Sequence, residues 1–77
     1  MIEVLLFAQL QEEAGKDKIL LDIKEITVKE IKQTLQTQFH LSQIEESMVA
    51  VNESYALEGD VIQPGDIVAI IPPVSGG

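Results

Sequence analysis

Side chains able to do chemistry are scarce in this chain. His40 is the single histidine, and there is no cysteine. No thiolate is present to attack a substrate, hold a metal or form a disulfide. His40 falls just past the strongest helical pattern, where a cation interacts well with the helix dipole. No serine or carboxylate cluster is paired with it along the sequence. Glu12–Glu13 and Glu45–Glu46 are adjacent acids, but neighbours on a helix do not face one another, so they read as solvated faces. Asp60 and Asp66 sit beside Gly59 and Gly65 and read as turn formers, so no metal site is expected. Nothing matches a phosphate loop or a nucleophile triad.

One stretch remains, "IIPPVSGG" at residues 70–77. Pro72 and Pro73 have no backbone N–H, so a strand reaching them must stop, and they stiffen the exit. The side chains then shrink through Val74 and Ser75 to Gly76 and Gly77. Extended, four residues reach roughly 13–14 Å, enough to thread a channel in another protein. Without Cβ atoms at Gly76 and Gly77, a carboxylate on Gly77 is approachable from every side. The plain reading is a frayed terminus. The sharper one makes the Gly77 carboxylate the working group, and the sudden proline stop and the uncharged tail favour it.

The composition narrows the partners. Thirteen acidic residues against five lysines, with no arginine, give a net charge of −8. Such a chain repels phosphate backbones and anionic lipid, so neither nucleic acid nor membrane is expected as a partner. The charge serves solubility or steers the chain to a basic protein surface. "MIEVLLFAQL" has no cationic n-region and carries Glu3 inside its apolar run, unlike a signal peptide. Residues 67–74 are too few to span a bilayer. A soluble cytoplasmic protein is expected.

The elements that must carry the tail are legible as patterns. Residues 2–7 are short and almost wholly apolar, which predicts a strand buried on both faces. "AQLQEEAG" suits a helical turn with Leu10 and Ala14 on one side and Gly15 as a left-handed stop. Residues 18–23 alternate as a second strand, with Ile19, Leu21 and Ile23 on one face. In "ITVKEIKQTLQTQF", Thr27 and Glu30 have capping-box spacing. Val28, Ile31, Leu35 and Phe39 then share one helical face, while Lys29, Lys32, Gln33 and Gln36 should be wet. "SQIE" at 42–45 repeats the cap signature and predicts one more turn. Residues 48–51 form a strand closed by Asn52, residues 55–57 a minor one, and "QPGD" at 63–66 a type II turn. Residues 67–71 are the last strand, apolar throughout.

The first and last strands are the most apolar, so they should lie together in the middle of a sheet, with the helix on one face. This is an α+β, β-grasp (ubiquitin-like) arrangement with a mixed sheet and one main helix, in the order β-β-α-β-β. Residues 1–73 form the domain, and 74–77 a flexible tail.

"LLFAQLQEEAG", "VAVNESYA" and "GDIVAIIPPVSGG" together resemble the small, sulfur-carrying subunits of molybdopterin synthase over nearly the full chain. Gln9 and Gln11 depart from that family, which frequently has basic residues there. The resemblance implies that an activating enzyme akin to the ubiquitin-activating ones adenylates Gly77. The AMP is then exchanged for sulfur, supplied by a separate sulfur donor, to give a thiocarboxylate. The tail, Pro72 to Gly77, inserts into the large subunit and delivers sulfur to a cyclic pterin phosphate, building the dithiolene that holds molybdenum. Two large subunits with a small one at each end make a heterotetramer. No cofactor is held permanently, and AMP and sulfur are carried only transiently on Gly77. The catalytic residues belong to the large subunit, so the chain alone is not an enzyme. Ile71 and Val74, with Phe7 and Leu57, form a docking patch or belong to the core. Rival readings are the sulfur carrier of thiamine biosynthesis, a ubiquitin-like modifier that conjugates to lysines, and an interaction domain with an idle tail.

Overall fold

The computed structural model describes residues 1–41 and 43–73. The elements are β1 (Ile2–Leu6), α1 (Ala8–Ala14), β2 (Lys18–Leu21), β3 (Ile26–Thr27), α2 (Val28–Phe39), β4 (Met48–Val51), β5 (Ser54–Tyr55), β6 (Val61–Ile62) and β7 (Ile67–Ile71). The two most apolar strands, β1 and β7, pair in parallel, with Val4 opposite Val68 and Leu6 opposite Ile70. A parallel pair needs a long crossover, and here the rest of the chain supplies it. Antiparallel neighbours complete a five-stranded sheet in the order β2-β1-β7-β4-β5. The helix α2 lies on one face, and the result is a β-grasp fold.

Burial corrects one expectation about β1. Ile2, Val4 and Leu6 are buried, whereas Glu3 and Leu5 are half-exposed. Only one sheet face is covered by α2, so the apolar outward residues of β1 and β7 face solvent rather than a second layer. The covered face packs Val4, Leu6, Val68 and Ile70 against Val28, Ile31 and Leu35 of α2 in one core. Leu41 and Ile44, beyond the helix, are fully buried in the same cluster. Phe39 is half-buried, with the Lys16 ammonium 5.7 Å from its ring centre, a cation–π contact that joins the end of α2 to the loop after α1. Lys32 is half-buried rather than wet, because its Nζ donates to the Glu45 carbonyl at 3.3 Å.

Some boundaries move for identifiable reasons. β2 stops at Leu21, not Ile23, because Leu21 already pairs with Ile2 and the partner strand runs out. The minor strand is 54–55 rather than 55–57. Asn52 (φ 50°) and Glu53 (φ 71°) form a two-residue hairpin turn that sets Val51 opposite Ser54, and the Leu57 N–H goes to the Asp60 carboxylate. Residues 43–46 form a turn and not a helix; Ser42, where a cap was expected, lies outside the described residues. β3 and β6 make a two-stranded ribbon that no sequence pattern announced.

That ribbon anchors the start of α2. Thr27 closes a capping box: its Oγ1 accepts from the Glu30 N–H at 3.2 Å, and Glu30 Oε1 accepts from the Thr27 N–H at 3.0 Å. The next two donors, the N–H groups of Val28 and Lys29, go to the carbonyls of Asp60 and Glu58. The orphan donors of the first turn are thus taken up by the cap and by the loop leading to β6. At the other end His40 is the C-cap, left-handed at φ 54°, with its N–H on the Gln36 carbonyl. Gly15 (φ 75°) ends α1 and Gly65 (φ 95°) completes the "QPGD" turn, both in the region that favours glycine.

A second lock joins the two hairpin ends. The Asn52 N–H donates to the Ile67 carbonyl at 2.8 Å, and the Ile67 N–H returns to Asn52 Oδ1 at 3.0 Å. Asn52 Nδ2 donates to Asp66 Oδ1, and Asp66 Oδ2 accepts from the Gln63 N–H. The Gln63 N–H, followed by Asn52, holds the Asp66 carboxyl below its usual range; the Thr27 N–H and hydroxyl do the same for Glu30.

Thr27→Ala should cost about 1 kcal/mol in chemical denaturation without unravelling α2, since the loop carbonyls still hold Val28 and Lys29. Both carboxyls have lowered folded pKa values. Their contribution is complete above the unfolded pKa, near 4, and is lost as pH falls through the folded values. Melting curves between pH 2 and 6 should therefore show Tm declining on the acid side. In the Glu30→Ala/Asp66→Ala double variant, Tm should be lower at neutral pH and the acid decline shallower.

Candidate functional site

The candidate site lies where the chain leaves the sheet. β7 is bonded on both sides, and its last pair is Ile71 with Met48. Pro72 and Pro73, both half-buried, follow directly. With no N–H to give, they end the ladder at the strand that also centres the core. Val74, Ser75, Gly76 and Gly77 lie outside the described residues.

The parallel register brings a second segment to the same end. Leu6 pairs with Ile70, so the next residues, Phe7 and Ile71, are neighbours. They line one hollow with Ala50, Glu53, Tyr55 and Ala69. Phe7 is not core: it is 45% exposed. Its backbone is the N-cap of α1, its carbonyl accepts from the Leu10 N–H, and Ala8 turns away at φ 50°. A left-handed alanine is costly, and here it redirects the chain while Phe7 stays at the sheet end.

Leu57 does not join this group. It is 78% exposed and lies by a separate depression with Lys32, Met48 and Ala56. Among the described residues Tyr55 lines both depressions. The expected patch of Phe7, Leu57 and Ile71 is therefore one close pair plus a separate residue. A larger set was missed by sequence reasoning. Leu5, Leu20, Met48, Tyr55, Ile67 and Ala69 lie on the uncovered sheet face by register, and four of them are large, exposed hydrophobics. The signal was available: β1 and β7 carry apolar residues at outward as well as inward positions. Contiguous apolar surface of this kind marks an interaction face.

Among the described residues no three His, Asp or Glu side chains converge as a metal set. His40 is exposed at the far end of α2 and away from the hollow lined by Phe7 and Ile71. A polar groove bordered by Glu25, Glu30, Gln33, Thr34, Thr37 and Gln38 runs along the helix, with no histidine among these lining residues. No helix of the described residues is long and apolar enough to cross a membrane. What the arrangement offers is a rigid exit for a thin segment, beside an apolar face.

Known proteins place this architecture. The chain is 40% identical, over 97% of its length and 94% of the relative's, to the molybdopterin synthase sulfur carrier subunit of Dictyostelium discoideum. Its fold is similar to that of the small archaeal modifier protein SAMP1 of Haloferax volcanii, with TM-score 0.82, 29% identity and coverage of 99% and 98% of the two chains. It also superposes, at TM-score 0.69 and 22% identity, with 99% and 97% of the chains covered, on a chain of the complex of molybdopterin-converting factor subunits 1 and 2 from Helicobacter pylori. The ThiS family profile matches residues 4–77, and the chain belongs to that family.

Proposed function

We propose that this chain is the sulfur carrier subunit of a molybdopterin synthase and that the Gly77 carboxylate is the group that carries sulfur. The observation that carries the reading is 40% identity, extending over nearly the full chain, to a subunit of that name. The Pro72–Pro73 exit beside an open apolar face supports it, because a carrier must dock and present a thin tail at once.

The chemistry explains why no acid or base is needed here. A carboxylate resists nucleophiles through its own charge. Transfer of AMP from ATP to the Gly77 carboxylate, with release of pyrophosphate, removes that charge and installs a leaving group. Sulfide released by a sulfur donor then attacks the carbonyl carbon, the C–O bond to AMP breaks, AMP leaves, and a thiocarboxylate results. Sulfur makes this anion softer and more nucleophilic than the carboxylate. Inserted into the large subunit, its sulfur bonds to a cyclic pterin phosphate, water cleaves the acyl–sulfur bond and returns the Gly77 carboxylate, and two such deliveries complete the dithiolene. The large subunit supplies the catalytic groups, and a phosphorylated substrate calls for arginine or lysine there. An E1-like enzyme and a sulfur donor load Gly77; AMP and sulfur are its only, transient, attachments. Pro72 to Gly76 are the inserting segment, with Phe7 and Ile71 in the docking surface. Leu57 would contribute from the side.

The likeness to an archaeal modifier favours a second reading, conjugation to lysines, which starts from the same acyl adenylate. Intact-mass analysis of protein from a sulfur-replete host separates the two. Exchange of one oxygen for sulfur at Gly77 supports the carrier; isopeptide links to lysine support the modifier.

Deleting Gly77 should abolish sulfur transfer while stability changes by no more than about 0.5 kcal/mol. The shortening retracts the carboxylate by roughly 3.3–3.6 Å, beyond attack distance. Gly76→Val should fail as well, since a β-branched side chain widens the tail and forbids glycine angles. Melting curves and a sulfur-transfer assay check both, and full activity of the deletion would refute the carrier role. Sedimentation of the protein with the large subunit should give a heterotetramer. Separate species would count against the complex.

A further inference from the structure

The uncovered sheet face holds two carboxylates in unlike circumstances. Glu3, on β1, has Lys18 of β2 at 3.8 Å. Glu53, at the tip of the β4–β5 turn, has neither hydrogen bond nor ion pair among the described residues. Its position is conspicuous for two reasons. It lines the hollow of Phe7, Ala50, Tyr55 and Ile71, and it also lines the adjoining one of Leu5, Asn52 and Ile67. Ala69 borders both hollows, and its small side chain leaves them open. The backbone of Glu53 is also left-handed, at φ 71°, the second central position of a hairpin turn where glycine is the relaxed choice. A glutamate there accepts strain to place a carboxylate between two apolar depressions.

Resting on the reading above, we propose that Glu53 is a specificity-determining contact of this face. It receives an arginine or lysine of the large subunit whose flanking apolar side chains enter the two hollows. The charge balance points to this occupant. At net charge −8 and without arginine, the chain can supply little cationic surface of its own, and a second copy would bring like charge to the same place. An exposed carboxylate contributes little alone, but filling the hollows on both sides excludes water and strengthens the pair.

The test is titration calorimetry of the wild-type chain and its variants with the cognate large subunit, at several salt concentrations. Glu53→Gln should weaken binding about tenfold or more and flatten the salt dependence, with Tm unchanged. Glu53→Gly should raise Tm by relieving the backbone yet lose affinity equally, which separates the contact from stability. Ala69→Leu should weaken binding by filling the hollows. Glu46→Gln, an exposed acid on another surface, should bind as wild type. Wild-type affinity in Glu53→Gln, or an equal loss in Glu46→Gln, overturns the contact while leaving the carrier reading in place. A wild-type chain that does not bind the large subunit overturns the synthase reading and the contact with it.

Discussion

The parallel pairing of β1 with β7 is the constraint on which the rest of the structure depends. It joins the two most apolar segments of the chain, which are also the farthest apart in sequence. Once they are side by side, everything between them must serve as crossover, and α2 can cover only one face. The other face stays open although most of its residues are apolar. The same register sets Phe7 next to Ile71, so the exit of the tail and the rim of the open face are placed by one set of backbone bonds. A one-residue slip would turn Val4 and Leu6 outward and undo the core together with the site.

Two polar locks keep the crossover tight. The capping box of Thr27 and Glu30, extended by the Asp60 and Glu58 carbonyls, fixes where α2 begins. Asn52 and Asp66 fix where β4 turns and where β7 begins. Each lock joins segments distant in sequence through exposed groups. They set geometry for a core that is otherwise built from aliphatic side chains without direction.

Local signals were legible in the sequence and long-range ones were not. The cap at Thr27 and Glu30, the Gly15 stop and the Gly65 turn depend on residues within four positions of one another, and each is found as expected. The β3–β6 ribbon rests on two-residue strands with no period to detect, so only tertiary contact reveals it. The near-uniform apolarity of β1 and β7 correctly put them together inside the sheet. It could not tell a second covering layer from an uncovered face, because Leu5 and Ile67 look alike in either setting. Leu57 was grouped with Phe7 because both are apolar, whereas the Asn52–Glu53 turn and the Asp60 contact carry Leu57 to another depression. The stop at Pro72 and Pro73 was legible from residue type alone, whereas the open apolar surface beside it needed the sheet register.

The mechanical consequence of a doubly bonded last strand is that whatever follows it is moored to two ladders at once. Force applied to it is directed along β7 and is shared by the ladders to β1 and β4. Because β1 runs parallel to β7, traction between the two chain ends loads their bonds in shear, all at once, and cannot open them one by one as in a zipper. A load taken up by β7 therefore meets its bonds together and not in sequence.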